Sequence, residues 1–141
     1  MIHAVIDTNV LVSAFLSPSG NEAYLLRAIR GGLITPCIMK EIVDEYVEVL
    51  SRPKFSFPAD EIEELMNLFR NSSQLVQPKE ISVLSPDPTD TKFLQCALGA
   101  LADFLVTGNK RHFPASPYGS TYVVSAGELL ARITPHPPLS S

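Results

Sequence analysis

The sequence predicts an α/β fold, a three-layer α/β/α sandwich with a central, mostly parallel sheet of four to five strands. Short apolar runs alternate with longer segments of helical periodicity, which is the order of elements found in α/β proteins. The first run, at residues 3–6, is apolar without alternation, as expected of a strand buried on both faces. The chain has 141 residues, 45% hydrophobic and 18% charged, which suits one domain with a core.

The first half of the chain is predicted to hold three strands and four helices, bounded by turn and capping residues. Asn21 is expected to cap the second helix, and Gly31 with Gly32 to close it. Pro36 is expected to stop the second strand, and Asp60 to cap the fourth helix. The elements are a strand at 3–6, helices at 10–16 and 21–30, a strand at 33–35, helices at 37–50 and 61–70, and a strand at 75–76.

The second half repeats this alternation. Asp87 and Pro88 are expected to open a helix as its N-cap and first helical residue. No linker divides the chain, so residues 1–133 are expected to form a single domain, followed by a proline-rich tail at 134–141. The elements are a helix at 87–102, strands at 104–107 and 122–124, and a helix from 125 or 126 to 132.

Composition argues against several classes of protein. Eleven basic and fifteen acidic residues give a net charge of −4, so nucleic acid would have to bind through metal ions or a local basic patch. Cys37 and Cys96 are too few for a disulfide framework and lack zinc-site spacing, which favours a reducing, cytoplasmic setting. No apolar run approaches the ~20 residues of a membrane span, and the first residues do not resemble a signal peptide.

Asp7 directly follows the first apolar strand. In an open parallel sheet, functional sites form beyond the carboxyl ends of the strands, so a charge at this position is a candidate for chemistry. The alternative is that Asp7 only caps the helix that begins nearby, together with Thr8 and Asn9. Position alone does not decide between these two interpretations.

Glu45 lies on an acidic helix at the edge of its apolar face. It is one turn from both Ile42 and Val49, whereas the other acidic residues of this helix fall on the solvated side. A partly desolvated carboxylate is costly unless a cation compensates it. Glu45 is therefore expected to bind either a metal ion or a nearby Arg or Lys side chain.

Asp90 shares one helical face with Leu94, Ala97 and Leu101, which follow it at the spacing i+4, i+7 and i+11. A carboxylate on an apolar face requires a partner, so Asp90 is a third candidate site residue. The alternative is a capping box in which Asp87 is the N-cap and Asp90 the third helical residue. We expect Asp87 to be mainly a cap and Asp90 to point into the site.

Asn109 follows the predicted strand at 104–107, whereas Asp103 precedes it. At about 3.3 Å per residue, these two positions lie more than about 10 Å apart. If this strand is parallel to the first, Asn109 joins Asp7 at the carboxyl edge and Asp103 lies at the opposite edge. Three carboxylates and one carboxamide are thus predicted near one edge, and such oxygen ligands suit Mg²⁺ or Mn²⁺ rather than zinc.

Four stretches of the chain resemble the PIN-domain family, and together they cover nearly its whole length. VIDTNVL at residues 5–11 resembles the opening of the family, with its first metal-binding aspartate at Asp7. EYVEVLSRPKF at residues 45–55 is similar to a subgroup regarded as toxins of toxin–antitoxin pairs, and its acidic ligand falls on Glu45.

The other two stretches lie in the second half of the chain. DPTD at residues 87–90, with the apolar residues that follow, is similar to the segment that carries the third acid, at Asp90. ADFLVTGNKRHF at residues 102–113 resembles the closing block of the family, which often has aspartate where this chain has Asn109.

The resemblance implies a metal-dependent endoribonuclease that hydrolyses RNA phosphodiester bonds, as the toxin of a toxin–antitoxin pair. Asp7, Glu45 and Asp90 would then be catalytic and hold Mg²⁺ or Mn²⁺, with Asn109 as an uncharged fourth ligand. An antitoxin would cover the acidic cleft with a basic side chain, and a homodimer would form through apolar helix faces.

Five residues beside this site are candidates for contacts with the ligands or with RNA. Thr8 and Asn9 would orient the metal ligands or contact phosphate. Lys110 and Arg111, with His112, form a compact basic cluster that would steer the RNA backbone. A solvated loop explains such a cluster equally well.

The main alternative is a catalytically weak or inactive module of the same fold that binds RNA or a protein partner. Asn109 and the acidic net charge favour it. A phosphatase with an aspartyl nucleophile is disfavoured, because no second acid stands two residues after Asp7. A dinucleotide site has no support, because no glycine-rich turn follows the first strand.

Overall fold

The computed structural model of the protein describes residues 2–77 and 90–133. Asp87, the predicted cap, and the predicted tail at 134–141 lie outside these ranges. Within them, no helix is long and apolar enough to cross a bilayer. The strands and α-helices described are β1 (Ile2–Ile6), α1 (Thr8–Leu16), α2 (Asn21–Arg30), β2 (Ile34–Ile38), α3 (Lys40–Leu50), α4 (Ala59–Ser72), β3 (Gln74–Leu75), α5 (Thr91–Ala100), β4 (Phe104–Val106), β5 (Tyr122–Val124) and α6 (Ala126–Ile133).

Five parallel strands form one sheet in the order β3-β2-β1-β4-β5, as the predicted fold class requires. β1 lies at the centre, where Ala4 is paired with Pro36 of β2 and with Phe104 of β4. The chain runs outward from β1 to β3, returns to β4 and continues to β5. The connections therefore reverse direction between β1 and β4, and such a reversal opens a crevice at the carboxyl ends of the two strands.

Helices cover both faces of the sheet, which confirms the predicted α/β/α sandwich. Because crossovers between parallel strands are right-handed, the outward connections place α1 to α4 on one face and the returning connection places α5 on the other. The helix contacts agree with this division, since α5 packs on β1, β2 and β4, whereas α2 and α4 pack on β2. Helix α6 packs beside α2.

β1 runs through the centre of the core. Its last three residues, Ala4, Val5 and Ile6, are fully buried, as the unbroken apolar run predicts. Tyr46 of α3 is also fully buried, and its hydroxyl donates a hydrogen bond to the carbonyl oxygen of Ile6. Helix α3 is thereby fixed at the carboxyl end of β1, where Asp7 follows.

β2 continues through Pro36 to Ile38, so the prediction that Pro36 ends this strand and that a helix follows at once is wrong. The carbonyl oxygen of Ile38 accepts a hydrogen bond from the N–H of Val76, on the β3 side. Residues two apart in a strand face the same neighbour, so Pro36 also faces that side. The pairing with β3 begins only at Cys37, so the missing N–H of Pro36 leaves no bond unmade in the described ladder.

Two predicted helix caps are also wrong. Asn21 is the first residue of α2, and Gly20 takes the N-cap position. Asp60 lies in the first turn of α4, where Pro58 is the N-cap residue. Asp60 is one of the acidic residues in the first turn of α4, where a negative charge interacts favourably with the helix dipole.

Helix α5 ends at Ala100, two residues earlier than predicted. Leu101 takes a left-handed conformation, with a φ of 53°, and is 74% exposed. It therefore leaves the apolar face that it was expected to share with Asp90, while Leu94 and Ala97 of that face are fully buried. Apart from the end of β2 and the starts of α3 and α5, the predicted boundaries agree with the structure to within two residues.

Gly99 of α5 is expected not to tolerate alanine. Alanine is normally more stable than glycine inside a helix by about 1 kcal/mol. Here, however, a Cβ atom at residue 99 would lie 2.6 Å from the carbonyl oxygen of Gln77, a backbone atom that cannot rotate away. Gly99→Ala should lower the free energy of unfolding by roughly 1–3 kcal/mol, measured by denaturant unfolding.

Gly31→Ala is the matched control. A Cβ atom at residue 31 would meet its nearest neighbour, the carbonyl oxygen of Arg27, at 3.4 Å, and the φ of Gly31 is −79°. This variant should be as stable as the wild type or slightly more stable. Equal losses of stability in the two variants would contradict the steric explanation.

Candidate active site

Asp7 lies at the carboxyl end of β1, in the crevice between β1 and β4. Its backbone N–H donates a hydrogen bond to the carbonyl oxygen of Val106, the last residue of β4, at 2.9 Å. The residue is 5% exposed. It occupies the N-cap position of α1, where its side chain makes no capping hydrogen bond of ordinary geometry. The backbone N–H of Asn9 nevertheless lowers the pKa of the carboxyl, as a weak cap would.

Thr107 orients the Asp7 carboxylate. Its side chain is fully buried, and its hydroxyl donates a hydrogen bond to Asp7 Oδ2 at 2.7 Å. The same hydroxyl oxygen accepts a hydrogen bond from the N–H of Asn109 at 3.0 Å. The sequence pattern places Thr107 at the end of a strand, and its role at the site was missed. A polar side chain at the carboxyl edge of the sheet is the feature that could have identified it.

Burial raises the pKa of the Asp7 carboxyl from 3.8 to about 6. The hydrogen bond from Thr107 lowers this pKa, while the neighbouring carboxylates of Asp90 and Glu45 raise it. Such charge effects arise between groups that lie close together. Glu45 and Asp90, which are far from Asp7 in the sequence, therefore lie near enough to act on its charge.

Both carboxylate oxygens of Glu45 have partners. Thr8, which is buried at the start of α1, donates a hydrogen bond from its hydroxyl to Oε2. The ammonium nitrogen of Lys92 lies 2.6 Å from Oε1, and the side chains of Lys92 and Glu45 are each 23% exposed. Glu45 thus has the basic partner that the sequence left open as an alternative, although no local pattern singles out Lys92.

Asp90 is joined to Asn109 through His112. His112 Nδ1 lies 2.7 Å from Asp90 Oδ2, and Asn109 Nδ2 lies 2.9 Å from His112 Nε2. With the amide nitrogen as donor, Nε2 accepts, and the ring proton is on Nδ1, facing the carboxylate. Asn109 therefore lies at the predicted edge of the sheet, with its amide directed to His112.

The other candidates for contacts with ligands or RNA lie around this crevice. The side-chain oxygen of Asn9 accepts a hydrogen bond from the N–H of Gly108 at 3.0 Å, which ties α1 to the segment after β4. Lys110 forms an exposed ion pair with Glu128 at 2.9 Å. Arg111 is exposed in the same short 3-10 turn. Of the basic cluster, Arg111 is therefore the residue best placed to meet a ligand from solvent.

Asp103 lies at the opposite edge of the sheet, as predicted. It directly precedes β4, and its carboxylate accepts a hydrogen bond from the N–H of His3 at 2.9 Å. Asp103 thus lies at the amino end of β4, and Asn109 lies beyond its carboxyl end, on the side of the candidate site.

The chemistry of the donor set fits a hard divalent cation. Asp7, Glu45 and Asp90 offer carboxylate oxygens in a partly desolvated crevice, and their repulsion contributes to the raised pKa of Asp7. Across residues 2–77 and 90–133, no three His, Cys, Asp or Glu side chains are already arranged as a metal site. Lys92 and His112 pair with Glu45 and Asp90, so a cation that takes these carboxylates would compete with both partners.

Comparisons with known proteins agree with this architecture. A sequence model of the PIN domain matches residues 3–111, well over half of the chain. An uncharacterized protein of Methanocaldococcus jannaschii is 30% identical over 113 residues, which cover 77% of this chain and 72% of that protein. The crystal structure of VapBC2 from Rickettsia felis, bound to a DNA fragment from their promoter, has a similar fold, with a TM-score of 0.57 and 13% identity over 88% of this chain and 100% of the compared chain.

The raised pKa of Asp7 predicts that its charge destabilises the fold at neutral pH. The unfolded chain has the ordinary pKa of 3.8, so from about pH 4 to about 6 the folded state binds more protons and stability falls as the pH rises. Asp7→Asn removes the charge and keeps the acceptor for Thr107. In metal-free buffer at pH 8 it should raise the free energy of unfolding by roughly 1–3 kcal/mol.

Denaturant unfolding of the wild type and Asp7→Asn at pH 8 and pH 4 measures this effect. The difference in stability should shrink to a small fraction at pH 4, where the carboxyl is largely protonated in the folded wild type. A difference of the same size at both pH values would mean that the charge of Asp7 is not its cause.

Proposed function

This chain belongs to the PIN-domain family, whose members are generally nucleases, and from that premise we propose that it is an endoribonuclease that uses Mg²⁺ or Mn²⁺ to hydrolyse RNA phosphodiester bonds. The proposal rests on one observation: the Asp7 carboxylate is buried, and the charges of Asp90 and Glu45 act on it. Buried or half-buried carboxylates this close together are costly without a compensating cation.

Asp7, Glu45 and Asp90 would hold the ion, and Asn109 is a further candidate ligand at the same edge of the sheet. The chemistry that such an ion would supply is compensation of the carboxylates, activation of water and stabilisation of the charge on the phosphodiester. Because Asn109 carries no charge, the acidic set has three negative groups rather than the four that the family often has.

Three neighbours hold the carboxylates in place. Thr107 donates to Asp7, Thr8 donates to Glu45, and His112 donates to Asp90 from Nδ1. Partners that fix the orientation of a ligand lower the cost of reorganising the site when a cation binds. Loss of the hydroxyl of Thr107 or Thr8 should therefore weaken cation binding less than loss of a carboxylate does.

RNA phosphates approach an acidic chain only where local positive charge reduces the repulsion. Arg111 and Lys110 lie in one exposed turn beside the crevice, and we assign them to steering the RNA backbone. Thr8 and Asn9 we assign to positioning, because their side chains already make hydrogen bonds within the protein.

Replacing a carboxylate of the site should abolish cleavage while the protein stays folded. We expect Asp7→Asn and Asp90→Asn each to slow the cleavage of single-stranded RNA by ~100-fold or more, because each removes an acid that the reaction needs. Wild-type cleavage should stop in EDTA and return with Mg²⁺ or Mn²⁺. Gel analysis of a labelled RNA measures all three proteins.

Asp103→Asn is the matched control, because Asp103 is an exposed carboxylate at the opposite edge of the same sheet. This variant should cleave RNA as fast as the wild type does. If the wild type, Asp7→Asn and Asp90→Asn behave alike, the assignment as an enzyme fails. RNA binding without cleavage would then support the non-catalytic module, which the engagement of Glu45 by Lys92 and of Asp90 by His112 favours.

The partner that we propose is an antitoxin protein. Support comes from the sequence resemblance to toxins of toxin–antitoxin pairs and from the fold shared with VapBC2. A homodimer and a cytoplasmic location belong to the same proposal, and the free thiols of Cys37 and Cys96, both buried, suit a reducing compartment.

The product of an adjacent small open reading frame should copurify with this chain and suppress its cleavage of RNA, because a basic side chain placed in the crevice would compensate the acids. Copurification followed by the cleavage assay measures both effects. A product that binds and leaves cleavage unchanged would contradict the proposed role.

A further inference from the structure

We propose that Lys92 is an internal counter-ion of the acidic site, which a divalent cation displaces from Glu45, so that Lys92 sets the ion concentration at which the site fills. This inference rests on the proposed metal dependence and adds a regulatory part to it. It predicts how the site exchanges one cation for another, which can be measured without RNA.

The contacts of Glu45 identify the partner that must leave. Lys92 lies 2.6 Å from one carboxylate oxygen, and Thr8 donates a hydrogen bond to the other. A cation that takes Glu45 as a ligand therefore competes with these two groups. Thr8 is buried, at 5% exposure, whereas the side chain of Lys92 is 23% exposed, so Lys92 is the partner with access to solvent.

The chemistry of lysine suits such an exchange. Its ammonium group is a compact charge at the end of a flexible four-carbon stem, so it can move while the backbone stays fixed. The backbone of Lys92 belongs to the first turn of α5, two residues after Asp90, which is the N-cap residue of that helix. The helix thus keeps Asp90 in place while the ammonium group of Lys92 leaves Glu45.

The location of the Lys92 charge distinguishes it from the other lysine ion pairs described. Lys40 pairs with Asp44 and Lys110 with Glu128, and in both pairs each side chain is about half exposed or more. Charges at the surface are well screened by water, whereas a pair in a partly desolvated crevice interacts more strongly. Removing the charge of Lys92 would therefore increase the attraction of the crevice for another cation.

Titration of metal-free protein with Mn²⁺ in a calorimeter tests the inference. Lys92→Met should bind Mn²⁺ more tightly than the wild type, on the order of tenfold, because a positive charge beside the ligands is lost. Lys92→Arg keeps the charge and should stay close to the wild type. Lys40→Met is the matched control, since it removes a lysine from an exposed ion pair on α3 and should leave the affinity unchanged.

Thermal melts add a second measurement. Without metal, Lys92→Met should melt at a lower temperature than the wild type, because its acids have lost their counter-ion. Mn²⁺ should then raise the melting temperature of Lys92→Met by more than it raises that of the wild type. A purely structural role of Lys92 would instead lower both the melting temperature and the affinity for Mn²⁺.

The outcomes separate this inference from the proposed function. Equal or weaker Mn²⁺ binding by Lys92→Met overturns the counter-ion role and leaves the metal-dependent nuclease standing. Absence of Mn²⁺ binding in the wild type, in Lys92→Met and in Lys92→Arg overturns the metal dependence together with this inference. Tighter binding by Lys92→Met alone supports the counter-ion role.

Discussion

Burial of a carboxylate at the end of the central strand is the constraint on which the rest of the structure depends. β1 lies between β2 and β4, and its last residues have no exposed surface, so Asp7 leaves the sheet into a crevice with little water. A charge at such a position needs hydrogen bonds and a cation nearby. Thr107 donates a hydrogen bond to Asp7, and Lys92 pairs with the neighbouring carboxylate of Glu45.

Much of the fold could be predicted because local patterns determine it. The unbroken apolar run predicts β1, and helical periodicity predicts α3, which together place Asp7 at a sheet edge and Glu45 at the border of an apolar face. The path of β2 through Pro36 could not be predicted in this way. Whether a missing N–H matters there depends on where β3 begins to pair, and that is set by the tertiary fold.

The partners of the acids were harder to predict than the acids themselves. The sequence indicates that Glu45 needs a cation, but a metal ion and a basic side chain satisfy that need equally well. Only the packing of α5 against the sheet and α3 brings Lys92 to it. The same holds for Asn109, since its place at the sheet edge follows from strand direction, while the direction of its amide depends on His112.

Two adjacent residues of α3 give the site a mechanical property. Tyr46 bonds to the carbonyl oxygen of Ile6, and Glu45 accepts the hydroxyl hydrogen of Thr8. The two bonds reach Ile6 and Thr8, the residues on either side of Asp7. Helix α3 therefore holds the backbone both before and after Asp7. Thermal fluctuations should therefore move the carboxylates of Asp7 and Glu45 together as one rigid body, and their spacing should be preserved while the surrounding loops fluctuate.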